Sequence, residues 1–390
     1  MTFPSIRQNY PMLASLRHFN CGGIAPLSNE VGAEMLRVPQ HYIEKGPAPL
    51  LAHDESFLRI ETARETMARL LGADPHEIAF TGTFSTAISI LTEGLSWEAG
   101  QEVIVTDQEH PAMLIPLMNA VKRHGLVVHR IAWSHDADRM LEDFLKVLGP
   151  KTRLVAMSHV TTDSGAMLPA AEMTARAHEQ GALVLWDGAH SLGQMPVDVH
   201  ALGCDFYAIV GYKWLMGPYP TAMLYVRRDR LEEIAVTWTG SHATTGATVT
   251  LGPDELEWKP GVQRFEYGAR VYSWDTAMGV GAACVEKLGI ENVLAHSRRL
   301  GRRFHDGLAA IPGITIHSPE PERGTGINCL SLDGMEGIEL SRRLREAFQI
   351  VQRPALWGKA VRISLASFIE DEDVDYLLGA LETISGSSYP

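Results

Sequence analysis

Two residues of this 390-residue chain stand out for chemistry they could do together: Asp187 and Lys213, 26 positions apart. Asp187 closes an apolar run, ALVLWD (182–187), and Lys213 follows another, FYAIV (206–210), just before WLMGP. A carboxylate and an amine delivered at neighbouring strand ends of an α/β sheet are what pyridoxal 5′-phosphate (PLP) chemistry requires. The lysine forms an imine with the cofactor aldehyde, and the aspartate keeps the pyridine nitrogen protonated so that the ring acts as an electron sink. Burial of Lys213 among apolar and aromatic neighbours depresses the amine pKa and makes it nucleophilic. A carboxylate at the end of ALVLW needs a cationic or hydrogen-bonding partner, which a pyridinium nitrogen supplies. The plain structural alternatives are a solvated loop lysine and an aspartate capping the turn at GAH.

Other residues fit around that pair. In AFTGTFSTAISIL (79–91) an apolar entry leads through small and hydroxyl residues into a helix. Backbone N–H groups, hydroxyls and the helix dipole there make an anion site, with Thr83, Phe84 and Ser85 holding a phosphate. Any Ser/Thr helix cap looks the same. His110 lies between a strand and a helix that starts at Pro111, where an imidazole could stack on a cofactor ring or be merely a polar loop residue. His190, three residues after Asp187, could reach the cofactor's phenolic oxygen or the substrate. Arg362, within AVRISLASF, has the planar fork that suits an amino-acid carboxylate bidentately, and a structural ion pair is its alternative.

The elements that must position these residues read as an α/β domain. Short, nearly continuous apolar runs at 101–106, 126–133, 153–160, 182–187, 206–210 and 222–226 are those of strands covered on both faces. Helix patterns at 56–72, 84–95, 111–124 and 170–180 alternate with them, which predicts a mainly parallel sheet. FYAIVGYKWL and TAMLYV are too close for a helix crossover, so they predict an antiparallel edge. Residues 240–263 are polar and Gly/Thr-rich, the pattern of a long loop over the site. Helices follow at 273–288 and 290–311. Beyond 312, two or three strands and helices at 336–348 and 370–384 predict a smaller α+β unit. The expected division is a large domain over 20–285 and a small one built from 1–19 and 286–390.

Composition narrows the partners. Hydrophobic content of 45%, charged content of 21% and a net charge of −13 describe a soluble globular protein and argue against nucleic acid or an anionic membrane surface. The four cysteines (Cys21, Cys204, Cys284, Cys329) are scattered without metal spacing, so neither zinc nor a disulfide framework is expected. Neither a signal-peptide pattern nor an apolar run of membrane-spanning length is seen, and a cytoplasmic location is expected.

Taken together, SHVTTDSGAMLP, WDGAHSLGQMPVDV, GYKWLMGP and RFEYGA resemble the class V aminotransferase family of PLP enzymes, fold type I, over nearly the whole chain. That group includes cysteine desulfurases, isopenicillin N epimerase-like proteins, aminotransferases and C–S lyases. The resemblance implies a seven-stranded, mainly parallel sheet covered by helices, with the smaller α+β domain at its C-terminal side. It implies that Lys213 is the imine lysine, Asp187 the pyridinium partner, His110 the stacking residue and Arg362 the carboxylate clamp. It also puts Thr162, His190 and Tyr212 at the cofactor and Asn20 at the substrate. A homodimer with the site at its interface is implied, with RFEYGAR near the partner's cofactor phosphate.

Departures from the family pattern reshape the expected pocket. Desulfurases carry a nucleophilic cysteine shortly before the arginine clamp, whereas IVQRPALWGKAVR has none. Tyr212 stands where a histidine is common, Pro220-Thr221-Ala222 replaces a Gly-Thr-Gly, and Ala269 replaces a phosphate-binding threonine. Arg270, next in line, is expected to take some of the phosphate or substrate charge. The reading is an enzyme that takes an α-amino acid as an external aldimine, with C–S β-elimination on a cysteine S-conjugate favoured and secondary metabolism as its setting. Decarboxylation or oxidative deamination, epimerisation and transamination are the alternatives. A cofactor-free binding protein is opposed by the intact Asp187–Lys213 pair. A nicotinamide-dependent oxidoreductase is opposed by the lack of a G-x-G-x-x-G turn after a first strand.

Overall fold

The computed structural model describes residues 2–46, 50–134, 136–245 and 256–386, and only the backbone of residues 4 and 50–57. The strands, in chain order, are β1 (Arg17–His18), β2 (Ile78–Phe80), β3 (Glu102–Thr106), β4 (Val127–Ile131), β5 (Thr152–Ser158), β6 (Leu183–Asp187) and β7 (Phe206–Val210). They continue with β8 (Ala222–Val226), β9 (Ile314–Ile316), β10 (Ile327–Leu332), β11 (Ile350–Val351), β12 (Arg353–Ala355) and β13 (Ala360–Ser364).

Seven strands form one sheet in the order β2-β8-β7-β6-β5-β3-β4. The five from β7 to β4 are parallel, and β8 runs antiparallel to both β7 and β2. Apolar residues occupy both faces because both are covered. Ile104, Val155, Val184, Trp186, Tyr207 and Ile209 pack on one side, and Val103, Val105, Leu154, Leu185, Phe206 and Val210 on the other. Alternate residues of one run thus feed two cores, which is why the strands read as continuous apolar stretches. Each large buried aliphatic side chain contributes about 1.5–3 kcal/mol.

The smaller unit has a four-stranded antiparallel sheet, β12-β13-β10-β9, and a two-stranded parallel pair, β1-β11. Its core joins Ile6, Tyr10, Leu13 and Phe19 to residues of the Ile290–Leu308, Gly337–Phe348 and Asp371–Gly386 helices.

The α/β class and the seven-stranded sheet agree with the sequence reading, with three differences. Strand β8 is not the sheet edge, because β2 pairs outside it; that edge strand is only three residues long and carries no periodicity of its own. The smaller unit holds five short strands from β9 to β13 instead of two or three, with β11 and β12 divided at Gln352 and β12 and β13 by a tight turn at 356–358. Residues 240–263 are not loop throughout. The flanks meet in a bridge between Thr244 and Trp258, and a short helical turn runs Val262–Phe265. The middle of that stretch, 246–255, lies outside the described residues.

Candidate active site

All the parallel strands end on one edge of the sheet, the edge at which α/β folds bind ligands. Thr106, Ser158 and Asp187 close β3, β5 and β6 there, and Lys213 sits three residues beyond β7. The turn carrying Lys213 is fixed by its neighbours. Gly211 donates to the Thr221 carbonyl and accepts from Gly217 N–H. A Cβ on Gly211 would lie 2.2 Å from Met278 Sδ on the Tyr272–Leu288 helix, so only glycine lets the turn seat against that helix.

Lys213 and Asp187 are both buried. Burial lowers the Lys213 ammonium to about 7, opposed by the Asp187 charge, and raises the Asp187 carboxyl. Lys213 Nζ lies 3.0 Å from His190 Nε2. Trp214 Nε1–H donates to His190 Nδ1 at 3.3 Å, which places the imidazole proton on Nε2. Burial followed by the Lys213 charge disfavours the protonated form of His190, so its N–H can be offered to the amine when Lys213 is neutral. Asp187 Oδ1 accepts from Ala189 N–H at 2.8 Å, and among the described residues no basic side chain lies within ion-pair distance of Asp187. A buried carboxylate left without an ion-pair cation, near a buried lysine whose amine is lowered to about 7, fits a pyridinium nitrogen and an aldehyde carbon.

His110 caps the Pro111–His124 helix: its Nδ1 accepts from Ala112 N–H at 3.1 Å, so Nε2 carries the proton. Burial, then the Lys213 charge, pulls this imidazole down to about 4. Its support is a residue that sequence reasoning missed. Glu109 is buried and accepts from Thr106 Oγ1 (2.6 Å), Ser158 Oγ (2.6 Å) and Ser158 N–H, tying β3 to β5 directly beneath His110. Burial raises its carboxyl to about 7 despite those donors. The only signal in sequence was its place next to His110.

Arg362 is fully buried on β13. Its Nη1 donates to the Thr162 carbonyl at 2.9 Å, while Nε and Nη2 have no partner among the described residues. Two unsatisfied, co-planar guanidinium donors in a dry place make an open receptor for a carboxylate. The N-terminal segment closes over it. A Cβ at Gly22 would sit 3.2 Å from Arg362 Cζ and Nη2, and the buried Asn20 Oδ1 is also unpartnered. Cys21 Sγ–H points to the Lys213 carbonyl at 3.3 Å.

The remaining predicted residues are less concentrated. Thr83 caps the Phe84–Gly94 helix by accepting from Thr86 N–H, and its hydroxyl pairs with that of Thr86 at 2.8 Å. Ser85 Oγ–H donates to the Ala112 carbonyl, and Phe84 faces the core. Tyr212 meets Tyr219 edge to face at 4.8 Å. Arg270 is not brought to the Lys213 group by any of its contacts. It is held by Asp275 (2.6 Å) and Glu266 (2.7 Å), and Glu266 also binds Arg64. No group of three or more His, Cys, Asp or Glu suited to a metal occurs among the described residues.

The Aminotransferase class-V family model matches residues 51–377, and the chain belongs to that family. It is 31% identical over 338 residues to isopenicillin N epimerase of Streptomyces clavuligerus, covering 83% of this chain and 84% of that one. It is 30% identical over 370 residues to cysteine desulfurase of Klebsiella pneumoniae subsp. pneumoniae, covering 90% and 88%. Among solved structures it superposes with a TM-score of 0.87 on a lysine-to-alanine variant of C-DES with glycine covalently linked to the PLP cofactor (27% identity; 96% of this chain, 98% of that). The cystine C–S lyase C-DES with its product cysteine persulfide gives the same score at 26% identity, covering 96% and 99%. The protein is thus a PLP-dependent class V enzyme related to cysteine desulfurases and C–S lyases.

Proposed function

We propose that the enzyme is a C–S β-lyase acting on a cysteine S-conjugate. The observation that carries this reading is the state of its thiols. All four cysteines are buried and free, and burial pushes the Cys21 and Cys204 thiols up strongly, Cys329 to about 12 and Cys284 to about 11. Cys329 lies directly across the ladder from Arg362, yet it packs with Ala355 and Ala360 in an apolar cluster. Such thiols do not supply a thiolate to accept sulfur, so a desulfurase route through an enzyme persulfide has no nucleophile among them.

PLP, when bound, supplies the electron sink for negative charge developed at Cα. The residues do the rest. Arg362 Nε and Nη2 take the substrate carboxylate and fix the amino acid against Lys213. Lys213 Nζ removes the Cα proton, the Cβ–S bond breaks, and the sulfur leaves as thiolate and takes up a proton. Water then releases the three-carbon remainder as pyruvate and ammonia. Asp187 would hold a proton at the pyridine nitrogen of the bound cofactor. Thr83 and Ser85, at the N-terminus of the Phe84–Gly94 helix, would hold the cofactor phosphate, and His110, Thr162 and Tyr212 would contact the ring.

The likeness to isopenicillin N epimerase favours a second reading, inversion at Cα. Inversion needs an acid as well as a base. Burial and nearby positive charge disfavour the protonated form of both His110 and His190, which weighs against either imidazole as that acid. The test is to reduce the PLP-loaded enzyme with borohydride, map the labelled peptide, and assay S-substituted cysteines for pyruvate and free thiol. Label on the Lys213 peptide with equal pyruvate and thiol supports elimination. Inversion of the substrate in D₂O without pyruvate would replace it by the epimerase reading.

A further inference from the structure

One side chain in the turn between β12 and β13 is not accounted for by folding. The turn lies between Ala355 and Ala360, which pair across the ladder. Leu356, Trp357 and Gly358 have φ of 48°, 60° and 89° in succession, so two side-chain-bearing residues hold the left-handed region. Turns that need this backbone select glycine, asparagine or aspartate, which adopt it at least cost. Packing explains Leu356, which lies against the cluster of Cys329, Ala355 and Ala360. It does not explain Trp357, which is 92% exposed and has no hydrogen-bond or ring partner among the described residues.

The turn is pinned from several sides. Asp163 accepts Leu356 N–H at 2.9 Å, and Lys359 N–H donates to the Leu356 carbonyl at 3.2 Å. A Cβ on Gly358 would lie 2.8 Å from Ile338 Cδ1, so the Gly337–Phe348 helix backs the turn. Strained backbone persists where its surroundings over-determine it, and it gathers at ligand sites. With His110 and Thr162 the turn surrounds a cavity of about 330 Å³, and Trp357 stands at its rim. Both of those residues also belong to the Lys213 group. The Thr162 carbonyl accepts from Arg362, and the Lys213 charge acts on His110. The cavity therefore leads from the amino-acid site to the indole.

A cavity of this size is at the low end of small-molecule pockets, with room for one compact substituent beyond the amino acid. Arg353 is the one cation of its lining, against Asp107 and Asp163, so an anionic substituent gains nothing there. The wall on the turn side is Pro354, Ala355, Leu356 and Trp357. An indole on a fixed backbone offers a flat apolar face with few rotamers to lose, a surface that another aromatic ring covers well. We propose that Trp357 is a specificity-determining residue that packs on an aromatic sulfur substituent, so that the enzyme takes S-benzyl- and S-aryl-type cysteine conjugates. This rests on the lyase reading, with Arg362 taking the α-carboxylate.

The test titrates the PLP-loaded enzyme with S-benzyl-L-cysteine, S-methyl-L-cysteine and the cationic S-(2-aminoethyl)-L-cysteine, following cofactor absorbance for binding and pyruvate for turnover. The benzyl compound should bind about tenfold tighter than either of the others, the scale of one aromatic contact. Trp357→Ala should remove most of that preference, and Trp357→Phe should keep it. Equal affinity of the wild type for the benzyl and methyl compounds, tightest binding of the aminoethyl compound, or an unchanged preference in Trp357→Ala overturns the assignment. So does a Trp357→Ala protein that weakens all three alike and sediments at half the wild-type mass, because the indole then covers a second copy of the chain. The wild-type comparison decides even if the variants fold poorly. Selective binding of the benzyl compound without pyruvate release sinks the lyase reading and leaves the role of Trp357 standing. Pyruvate release without selectivity does the reverse.

Discussion

Lys213 is an amine kept from water near a carboxylate kept from a cation; burial favours the neutral form of each, and the charge of each opposes that shift in the other. Two predictions belong at this scale. The neutral amine is the form that condenses with an aldehyde. Because burial lowers Lys213 to about 7, the rate of PLP uptake by the cofactor-free protein should rise with pH through about 7, not near the 10.5 of an ordinary lysine. Stopped-flow absorbance across pH 5.5–9 checks this, and a flat profile or a rise only above 9 contradicts it. Lys213→Ala should abolish the borohydride-stable label and lower kcat by about 10²–10⁴-fold, the range for loss of a positioned acid–base group. Arg362→Ala removes the charge-assisted donors and should raise KM for carboxylate substrates by about 10- to 100-fold. An unchanged KM would make Arg362 a structural residue.

At the scale of elements, Glu109 is the strap that sets β3 against β5 and so fixes where His110 begins its helix. Removing the carboxylate in Glu109→Ala strands three donors of Thr106 and Ser158 and should destabilise the protein by about 1–3 kcal/mol in urea unfolding. The sign of its pH effect follows from the raised carboxyl. The folded state holds the Glu109 proton up to about 7, while the unfolded chain releases it near 4.5. Its contribution to stability therefore falls as pH rises from about 4.5 to 7, and Glu109→Gln should flatten that part of the wild-type profile. A profile identical in the two proteins would show that Glu109 does not titrate there. Glu109 also marks where reading the sequence stops. Asp187 and Lys213 were legible because each is a lone charge at the end of an apolar run, and those runs are the strands. Glu109 lies in the polar stretch TDQEH, and its burial comes from Ser158, 49 residues further on. Arg353 was hidden likewise: β12 has three residues including a proline, and only the ladder shows that it faces Arg362. Strand β2 escaped as the sheet edge for the same reason of length.

At the scale of the whole molecule, the outward side of the Asn29–Lys45 helix shows Leu36 and Ile43, seven residues apart and 67% and 80% exposed. Apolar residues at that spacing share one helical face and need a cover. We propose that a homodimer supplies it, in which case sedimentation gives twice the 42.9 kDa chain mass. Leu36→Asp with Ile43→Asp should shift the protein to monomer; sedimentation of the wild type as a monomer would end the dimer reading. The pairing of β1 with β11 has a consequence of another kind, for the order in which a newly made chain becomes an enzyme. Arg17 and His18 find their partners only at Ile350 and Val351, and Gly22 meets Ser364. Every strand of the seven-stranded sheet has been translated by Val226, whereas Arg362 leaves the ribosome 136 residues later, a delay on the order of ten seconds at ordinary elongation rates. The residues proposed to hold PLP, Thr83 to Lys213, are translated before the proposed clamp for the amino acid exists. A nascent chain that captures the cofactor early thus has no means of turning over substrate until its last strands arrive and its first ones fold back to meet them.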